Sequence, residues 1–425
     1  MNQVRIMALG GLDENGKNMY VVEVGEALFI IEAGLKYPET GHLGVEYIIP
    51  DFSYLIENQH RIKGLFITHA HDDVVGALLH LLKQIDVDIY TGNLTADIIE
   101  GMLAEENIKY ARIHCIERSS TLKISGVEIR TFAMTHSFPD NFGIAIMTPQ
   151  GAIVYAGEFI VDYNMLEPSF ACDLNELSEI GKKGVLALMC DSTNAERPGF
   201  TPSERKLGAV FDSLFEEHKK TRIVIATFAS NVDRVQQIIN TAYKFGRKVV
   251  VEGRSMVNII ETASKLNRLS IPENTLIDIE KLKNYPKDKT VIITTGSQGE
   301  SMAALSRMAG NMHRKITIGP GDTVIFSSNP IPGNEKAVSR VINELSEKGA
   351  TVIFQDAHVS GHACQEEIKL IYTLTKPKYA IPVHGEYKHL KAQAKIALDL
   401  GMEKDNIFIL HSGEVLAMDA ESAGL

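Results

Sequence analysis

The sequence predicts a mixed α/β protein, of the α/β or α+β class, that contains more than one domain. Its 425 residues are too many for one compact core, so we expect two domains. Residues 1–160 contain short β-rich runs separated by turns, whereas residues 206–355 alternate between strand-like and helix-like segments. Such alternation is typical of a parallel sheet with helices on its faces.

Strands dominate the first part of the chain. Its apolar runs are of strand length and rich in β-branched residues. We expect strands in VRIMAL, MYVVEV, ALFIIEAG, GLFITHAH, VEIRTFAM and AIVYAGEF. Helices are expected at about residues 73–84 and 94–105.

Strands and helices alternate in the second part. The expected strands are RIVIATF, KVVVEG, TVIITTG, DTVIFSS and TVIF. The expected helices are NVDRVQQIINTAYKFG, SMVNIIETASKL and EKAVSRVINELSEKG. After about residue 365 the pattern predicts a helix (QEEIKLIYTLT), a strand (YAIPVHG), another helix and a final strand (IFILHS).

Composition and charge are those of an ordinary globular protein. No apolar stretch reaches the roughly 20 residues that cross a membrane, and the N-terminus lacks the pattern of a secretory signal. We therefore expect a cytoplasmic protein without a membrane segment. The net charge of −11 argues against coating of nucleic acid through overall charge, although a local basic groove or a metal could bind phosphate. The four cysteines form no CxxC pair, and we expect buried, inert thiols.

The segment GLDENGKN, residues 11–18, has the spacing of a phosphate-binding loop. Asn18 stands where Ser or Thr would bind magnesium, and a strand rather than a helix is predicted to follow. A tight turn between two strands is therefore the better interpretation.

The segment THAHDDVV, residues 68–75, places two histidines at the end of an apolar run. Residues two apart on a strand point to the same side, so His69 and His71 could face one ion. Asp73 taken alone could cap the following helix. That interpretation leaves the two histidines unexplained, so we favour a metal site.

Three further candidate ligands also follow apolar runs: His136 in TFAMTHSFPD, Glu158 in IVYAGEF and His384 in AIPVHGEYKH. Each could be a hydrogen-bonded core or loop residue. Together they repeat one arrangement, in which ligands lie at strand ends on a rigid scaffold.

These motifs resemble the β-CASP branch of the metallo-β-lactamase fold, and among its members the ribonuclease J family. The resemblance runs from residue 4 to 417 and rests on HAHDD, THS, AGE, CDSTN, HVSGH and PVHGEY, with GKNMY, SERKLG and TGSQGE in support. The sequence resembles in particular the second ribonuclease J paralogue of some Gram-positive bacteria, which has the weaker activity.

The resemblance implies an αββα sandwich interrupted by a β-CASP domain of parallel βα type. The implied boundaries are residues 1–205 for the first part of the sandwich, 206–364 for the β-CASP domain and 365–425 for the closing part. Ribonuclease J proteins continue into a small C-terminal domain that contributes to dimerisation. Either the protein lacks that domain or the sequence is part of a longer chain, so homo- and hetero-oligomers both stay open.

The resemblance also implies two metal ions, zinc or manganese. The first would be held by His69, His71, His136 and Glu158. The second would be held by Asp73, a histidine at position 74, the bridging Glu158 and His384.

The sequence departs from the family pattern at this site. Val74 has no lone pair, Glu158 stands in place of a bridging aspartate, and Glu32 replaces another aspartate. Two ions stabilise both the attacking and the leaving oxygen of a phosphodiester, so the loss of one weakens hydrolysis. We therefore expect low activity.

The resemblance further implies an RNA-binding surface. The segment His358, Val359, Ser360, Gly361 and His362 would hold a phosphate next to the metals, with Asp191 supporting the site. FASN and GRSM would form a pocket for a 5′-monophosphate end through Ser230, Asn231, Arg254 and Ser255. Asp233 replaces a common histidine there, which puts the affinity for a terminal phosphate in doubt. The basic run KLKNYPKDK, residues 281–289, could contact RNA, but a solvated face is favoured.

Three functions are compatible with these residues. The first is a ribonuclease J-type 5′-to-3′ exoribonuclease, and also an endoribonuclease, in rRNA maturation and mRNA decay, with Asp73 and His362 aiding proton transfer. The second is an essentially non-catalytic RNA-binding partner of an active paralogous subunit. The third is a small-molecule hydrolase, against which the inserted segment 206–355 argues.

Overall fold

The computed structural model describes residues 3–38, 42–300, 303–331, 334–354 and 357–425, which form two compact units. The first unit comprises Met1–Tyr163, Pro168–Thr201 and Gly361–Leu425, and the second comprises Asn164–Glu167 and Pro202–Ser360. Among the described residues, no helix is both long and apolar enough to cross a membrane.

The described strands and helices follow one another as the sequence pattern predicts in outline. The strands are β1 (Val4–Gly10), β2 (Met19–Val24), β3 (Ala27–Ile31), β4 (Ile62–Ile67), β5 (Asp88–Thr91), β6 (Arg112–Cys115), β7 (Thr121–Ile124), β8 (Val127–Ala133), β9 (Phe142–Thr148), β10 (Gly151–Gly157), β11 (Val185–Asp191), β12 (Arg222–Ala226), β13 (Lys248–Glu252), β14 (Thr290–Thr294), β15 (Asp322–Phe326), β16 (Thr351–Ile353), β17 (Tyr379–Val383), β18 (Val415–Met418) and β19 (Ala423–Gly424). The helices are α1 (Ser53–Glu57), α2 (Asp72–Val75), α3 (Leu78–Leu82), α4 (Asn93–Glu105), α5 (Leu174–Lys183), α6 (Lys206–Glu217), α7 (Val232–Lys244), α8 (Arg254–Lys265), α9 (Ala304–Ala309), α10 (Glu335–Glu347), α11 (Gln365–Thr375) and α12 (Tyr387–Asp399).

Two sheets and two helical layers build the first unit. One sheet has the order β19-β18-β1-β2-β3-β4-β5-β6, and the other has the order β17-β11-β10-β9-β8-β7. Alternate residues of each strand face opposite sides: Ile6 joins the core between the sheets, whereas Met7 joins the core beneath α3 and α4. Helices α5, α11 and α12 cover the outer face of the six-stranded sheet. The predicted αββα sandwich is confirmed.

A five-stranded parallel sheet forms the centre of the second unit. Its order is β13-β14-β12-β15-β16, and its neighbouring strands all pair in parallel. Apolar residues of α9 and α10 pack on one face of this sheet. The predicted alternation of strands and helices is therefore confirmed.

Three predictions about local structure are wrong. The helix expected at 73–84 is divided into α2 and α3, because the Ala77 N–H leaves the helical pattern and donates to the Ala33 carbonyl (2.8 Å). IFILHS forms no strand: Ile407 makes an isolated bridge to Ala380 of β17, and the last strand to pair with β1 is β18, further along the chain. Cys115 is exposed on β6, at the edge of its sheet, whereas Cys190 and Cys364 are buried as expected.

Candidate metal centre

The predicted ligands of the first unit lie where strands end. Glu158, Asp191 and His384 come at the carboxyl ends of β10, β11 and β17, which are parallel neighbours in one sheet. His69 follows β4, and His136 follows β8. Parallel strands bring their carboxyl ends to the same sheet edge, so residues distant in sequence converge there.

Three imidazoles and one carboxylate converge on a single point. The Nδ1 atom of His71 lies 3.0 Å from His69 Nε2 and 3.2 Å from His136 Nε2. Glu158 Oε2 lies 3.3 Å from His69 Nε2 and 3.1 Å from His136 Nε2. Ligands at about 2.0–2.2 Å around a tetrahedral zinc ion are about 3.3–3.5 Å apart. These four residues could therefore hold one metal ion.

The protonation state of these imidazoles suits metal binding. Burial lowers the pKa of His69 to about 4, although its hydrogen bond with Glu158 opposes this effect. Burial and the neighbouring imidazoles of His69 and His136 hold the pKa of His71 well below its usual value. A neutral imidazole keeps a lone pair for a metal, so His69 and His71 are ready as ligands at neutral pH.

Glu158 faces two sets of groups at once. While its Oε2 atom faces His69 and His136, its Oε1 atom lies 3.1 Å from His384 Nδ1. The Oε1 atom is buried and has no hydrogen bond of acceptable geometry among the described residues. Such an oxygen fits a metal ligand better than a structural carboxylate. The length of the glutamate is thus compatible with a bridging position.

Charges around Glu158 determine its ionisation. Burial would raise the pKa of Glu158, but His384, followed by His136 and His69, holds it well below its usual value. Asp73 lies near the same carboxylate, and its Oδ2 atom is 3.4 Å from His384 Nε2. Its depth in the site and the charge of Glu158 raise the pKa of Asp73 well above its usual value, although 28% of the side chain is exposed.

A second group that could hold a metal ion consists of Glu158, His362 and His384. Val74 is buried beside Asp73, and its backbone carbonyl accepts a hydrogen bond from the Ala33 N–H (2.7 Å). The residue predicted to leave the second ion short of a ligand therefore offers no side-chain donor. His362, which the sequence suggested for proton transfer, is part of this group.

Asp191 orients both histidines of the second group. Its Oδ2 atom is 2.7 Å from His362 Nδ1, and its Oδ1 atom is 3.3 Å from His384 Nδ1. Burial opposes ionisation, yet His362 and His384 hold the pKa of Asp191 well below its usual value. Despite burial, Glu158 and Asp191 raise the pKa of His384 to about 10, and Asp191 and Glu158 raise that of His362. Without a metal, these carboxylates favour the cationic form of both imidazoles.

Glu32 supports the first group through Thr68. The Thr68 hydroxyl donates to Glu32 Oε1 (2.6 Å), and the Thr68 N–H donates to Glu32 Oε2 (3.1 Å). The same hydroxyl lies 2.9 Å from His69 Nδ1, which leaves His69 Nε2 for a metal. Glu32 and His384 adopt left-handed backbone conformations, with φ of 66° and 54°. Strained backbone of this kind is common at functional sites.

Asn18 is a functional neighbour that sequence reasoning missed. Its backbone N–H and its side-chain amide both donate to the Asp73 carbonyl, at 2.9 and 3.1 Å. Gly34 packs against the same carbonyl, where a Cβ atom would lie 1.7 Å away. The loop GLDENGKN connects two strands, as predicted; they pair in antiparallel orientation, and the loop positions Asp73. The only sequence signal was the polar residue within a tight turn.

The candidate RNA-end residues lie in the second unit. Ser230 and Asn231 follow β12, whereas Arg254 and Ser255 follow β13 and begin α8, so both pairs lie at the same edge of the parallel sheet. The Asn231 side chain caps α7 by accepting from the N–H of a residue in its first turn (3.0 Å). Arg254 and Ser255 of the GRSM segment are exposed.

The motif HVSGH spans the boundary of the two units. His358, Val359 and Ser360 belong to the second unit, whereas Gly361 and His362 belong to the first. Arg234, fully buried in the second unit, donates to the Val359 carbonyl (3.3 Å). Within the first unit, the Gly361 carbonyl lies 2.7 Å from His136 Nδ1, which links the motif to the first group.

Comparisons with protein families match three segments of the chain. Residues 12–129 match the metallo-β-lactamase superfamily, and residues 220–345 match the ribonuclease J β-CASP domain. Residues 350–410 match a Zn-dependent metallo-hydrolase RNA specificity domain.

Several curated relatives are similar to nearly the whole chain. Ribonuclease J 1 of Streptococcus pyogenes is 44% identical over 99% of this chain and 76% of its own length. Ribonuclease J2 of Bacillus subtilis is 42% identical over 97% of this chain and 75% of its own length. Ribonuclease J of Helicobacter pylori is 40% identical over 97% of this chain and 60% of its own length. The first two identities do not separate one paralogue from the other.

A solved structure shares the fold. It is a protein of unknown function from Enterococcus faecalis, with a TM-score of 0.69 and 15% identity, and the match covers 98% of this chain and 100% of that chain. At this identity the similarity concerns the fold alone.

The first prediction concerns the ligands of the first group. His136→Ala removes one of three imidazoles, so zinc affinity should fall by more than the roughly 10–100-fold typical of lost outer contacts. Isothermal titration of the metal-free protein with zinc measures this change. His411→Ala is the matched control, because this imidazole is 57% exposed and contacts Asp13 instead. Equal zinc affinity of both variants would show that the group does not bind the ion.

The second prediction concerns pH. Burial, supported by the charge of Glu158, raises the pKa of Glu32 to about 8 in the metal-free protein. The folded chain then keeps a proton that the unfolded chain releases above about pH 4.5, so this carboxyl lowers stability as the pH rises towards 8. Glu32→Gln should therefore gain stability relative to the wild type, by on the order of a few kcal/mol between pH 5 and 8. Urea unfolding with a chelator measures this difference, and parallel pH profiles would contradict it.

Proposed function

The chain belongs to the ribonuclease J family, and from this premise we infer that it is a metal-dependent ribonuclease that degrades RNA from a 5′-monophosphorylated end and also cleaves internally. The observation that carries this proposal is the convergence of His69, His71, His136 and Glu158 on one point. rRNA maturation and mRNA decay are the processes that such an activity would serve.

Each residue of the site has a chemical role in this proposal. The first group would hold zinc, or manganese, which lowers the pKa of bound water and stabilises charge on phosphate oxygens. Asp73, whose pKa is raised by its depth in the site and by Glu158, would accept a proton from the attacking water. His362, kept protonated by Asp191, would donate a proton to the leaving oxygen.

The hydrolytic activity on RNA would be low, because the second metal ion would have few ligands. The second ion would have Asp73, Glu158 and His384 as ligands, because Val74 has no donor atom. A ring nitrogen of His362 could complete that set, but a histidine that binds metal is lost as a proton donor. Either arrangement weakens hydrolysis compared with a complete pair of ions.

RNA binding would use residues of the second unit as well. Ser360 and the backbone of HVSGH would bind a phosphate, and Ser230, Asn231, Arg254 and Ser255 would receive the 5′ end. Asp233 lies in the first turn of α7 and adds a negative charge beside Asn231, so terminal phosphate would bind weakly. The basic run at 281–289 is largely exposed, in agreement with a solvated face.

A second candidate function is that of a nearly inactive RNA-binding subunit paired with an active paralogue. Val74 favours it, because this position supplies no ligand to the second ion. The pairing could be a homo- or a hetero-oligomer. No observation favours the small-molecule hydrolase, since residues 220–345 match the ribonuclease J β-CASP domain.

The third prediction tests the attenuated site. Val74→His together with Glu158→Asp should raise bound metal towards two ions per chain, because a ligand is added and the bridging carboxylate is shortened. RNA degradation should increase roughly tenfold or more, as each 1.36 kcal/mol of barrier removed is tenfold in rate. Elemental analysis and a 5′-monophosphorylated RNA substrate provide the two measurements.

The same double change combined with His69→Ala is the control, and it should lose both gains. Two tightly bound ions and rapid turnover in the unaltered protein would contradict the attenuation. If the double change alters neither metal content nor rate, position 74 does not limit the enzyme.

A further inference from the structure

Glu367 is a buried carboxylate in the first turn of α11 that joins three loops of the first unit. Its Oε1 atom accepts from the Val161 N–H (2.8 Å). Its Oε2 atom accepts from the N–H groups of Thr201 and Cys364, both at 2.8 Å, and from the Thr201 hydroxyl at 2.9 Å. Three backbone N–H groups and one shared hydroxyl proton thus surround this buried carboxylate, from segments up to 206 residues away.

Two of these loops carry residues of the metal centre. Val161 lies three residues after Glu158, and three residues of chain span at most about 11 Å. Cys364 lies two residues after His362. Fixing both backbones to one carboxylate therefore limits where Glu158 and His362 can lie.

The third loop, which contains Thr201, contacts the backbone of His362. The single proton of the Thr201 hydroxyl is shared between two acceptors, the His362 carbonyl (2.8 Å) and Glu367 Oε2 (2.9 Å). The Asn194 side chain donates to the same carbonyl (3.1 Å). His362 is thus held by its backbone on one side and by Asp191 at its ring on the other.

Helix capping explains only part of this arrangement. A glutamate at the third helical position commonly accepts from the N–H of the capping residue, here Cys364. That role does not require bonds to Val161 and Thr201. Thr201 is the last residue of the first unit before the chain enters the second, and Val161 lies two residues before another such passage. The carboxylate therefore also fixes the chain where it leaves the first unit.

We propose that Glu367 is a positioning residue for the reaction, which sets the places of Glu158 and His362 through hydrogen bonds to Val161, Thr201 and Cys364. The role in the reaction rests on the proposed function, whereas the effect on metal binding does not. Among the described residues, the carboxylate makes no hydrogen bond to a candidate metal ligand, so its influence passes through the backbone of the two loops.

The experiment compares Glu367→Gln with Thr201→Val in the full chain. Glutamine keeps the shape but offers one oxygen and one NH₂ group, so it cannot accept on both sides. Zinc affinity should fall by about 10–100-fold, as for other lost outer contacts, and kcat should fall by a similar factor while KM for RNA changes little. Thr201→Val removes only the hydroxyl, so kcat should fall and zinc affinity should stay near that of the wild type.

Glu23→Gln is the matched control, because Glu23 is a buried glutamate of the same unit bonded to Tyr54 and Arg61 instead. It should leave zinc affinity unchanged. The visible spectrum of the cobalt-substituted protein reports the ligand geometry directly and should change in Glu367→Gln alone.

Wild-type zinc affinity, cobalt spectrum and kcat in a folded Glu367→Gln variant would overturn the proposal. If Glu367→Gln fails to fold, the Thr201→Val variant provides the test. An unchanged kcat in Thr201→Val would then overturn the proposal. If the wild type binds zinc but does not degrade RNA, the proposed function fails, and the effect of Glu367→Gln on zinc affinity still tests the positioning.

Discussion

The buried carboxylate of Glu158 is the constraint on which the rest of the site depends. An ionised carboxylate in a protein interior is costly unless cations or hydrogen-bond donors surround it. Here imidazoles of His69 and His136 face one oxygen, and His384 faces the other. The three histidines follow strands β4, β8 and β17, which belong to both sheets of the sandwich. The ionised Glu158 is therefore surrounded by its partners only when both sheets are assembled. The fold and the metal centre are therefore mutually dependent.

Residues outside the two candidate metal-binding groups support this centre. Glu32 acts through Thr68 on His69, Asn18 acts on the backbone of Asp73, and Glu367 acts on the loops after Glu158 and His362. Outer contacts of this kind fix ligand orientation and are needed for precise geometry. Against this intact framework, Val74 stands out as a position without a donor atom. Among the described residues, the first group has four side chains that could hold a metal ion, whereas the second has three.

The sequence predicted several candidate ligands that the structure brings together, but it did not predict the residues that support them. His69, His136 and His384 could be identified because each follows an apolar run, and strand ends are read from local pattern. The outer contacts depend on chain segments that meet only in the fold; Val161 and Glu367 are 206 residues apart. The broken helix after Asp73 was missed for the same reason, since a bond between Ala77 and Ala33 decides it. The segment IFILHS was apolar enough for a strand, yet Ile407 forms an isolated bridge to Ala380 of β17 instead.

Anomalous diffraction at the zinc edge, from crystals of the protein grown with zinc, tests the central claim most directly. The account predicts a strong peak among the side chains of His69, His71, His136 and Glu158, at about 2.0–2.2 Å from their ligand atoms. It predicts a weaker peak, or none, between Glu158 and His384. A strong peak elsewhere with none at the first group, or two peaks of equal strength at full occupancy, would contradict it.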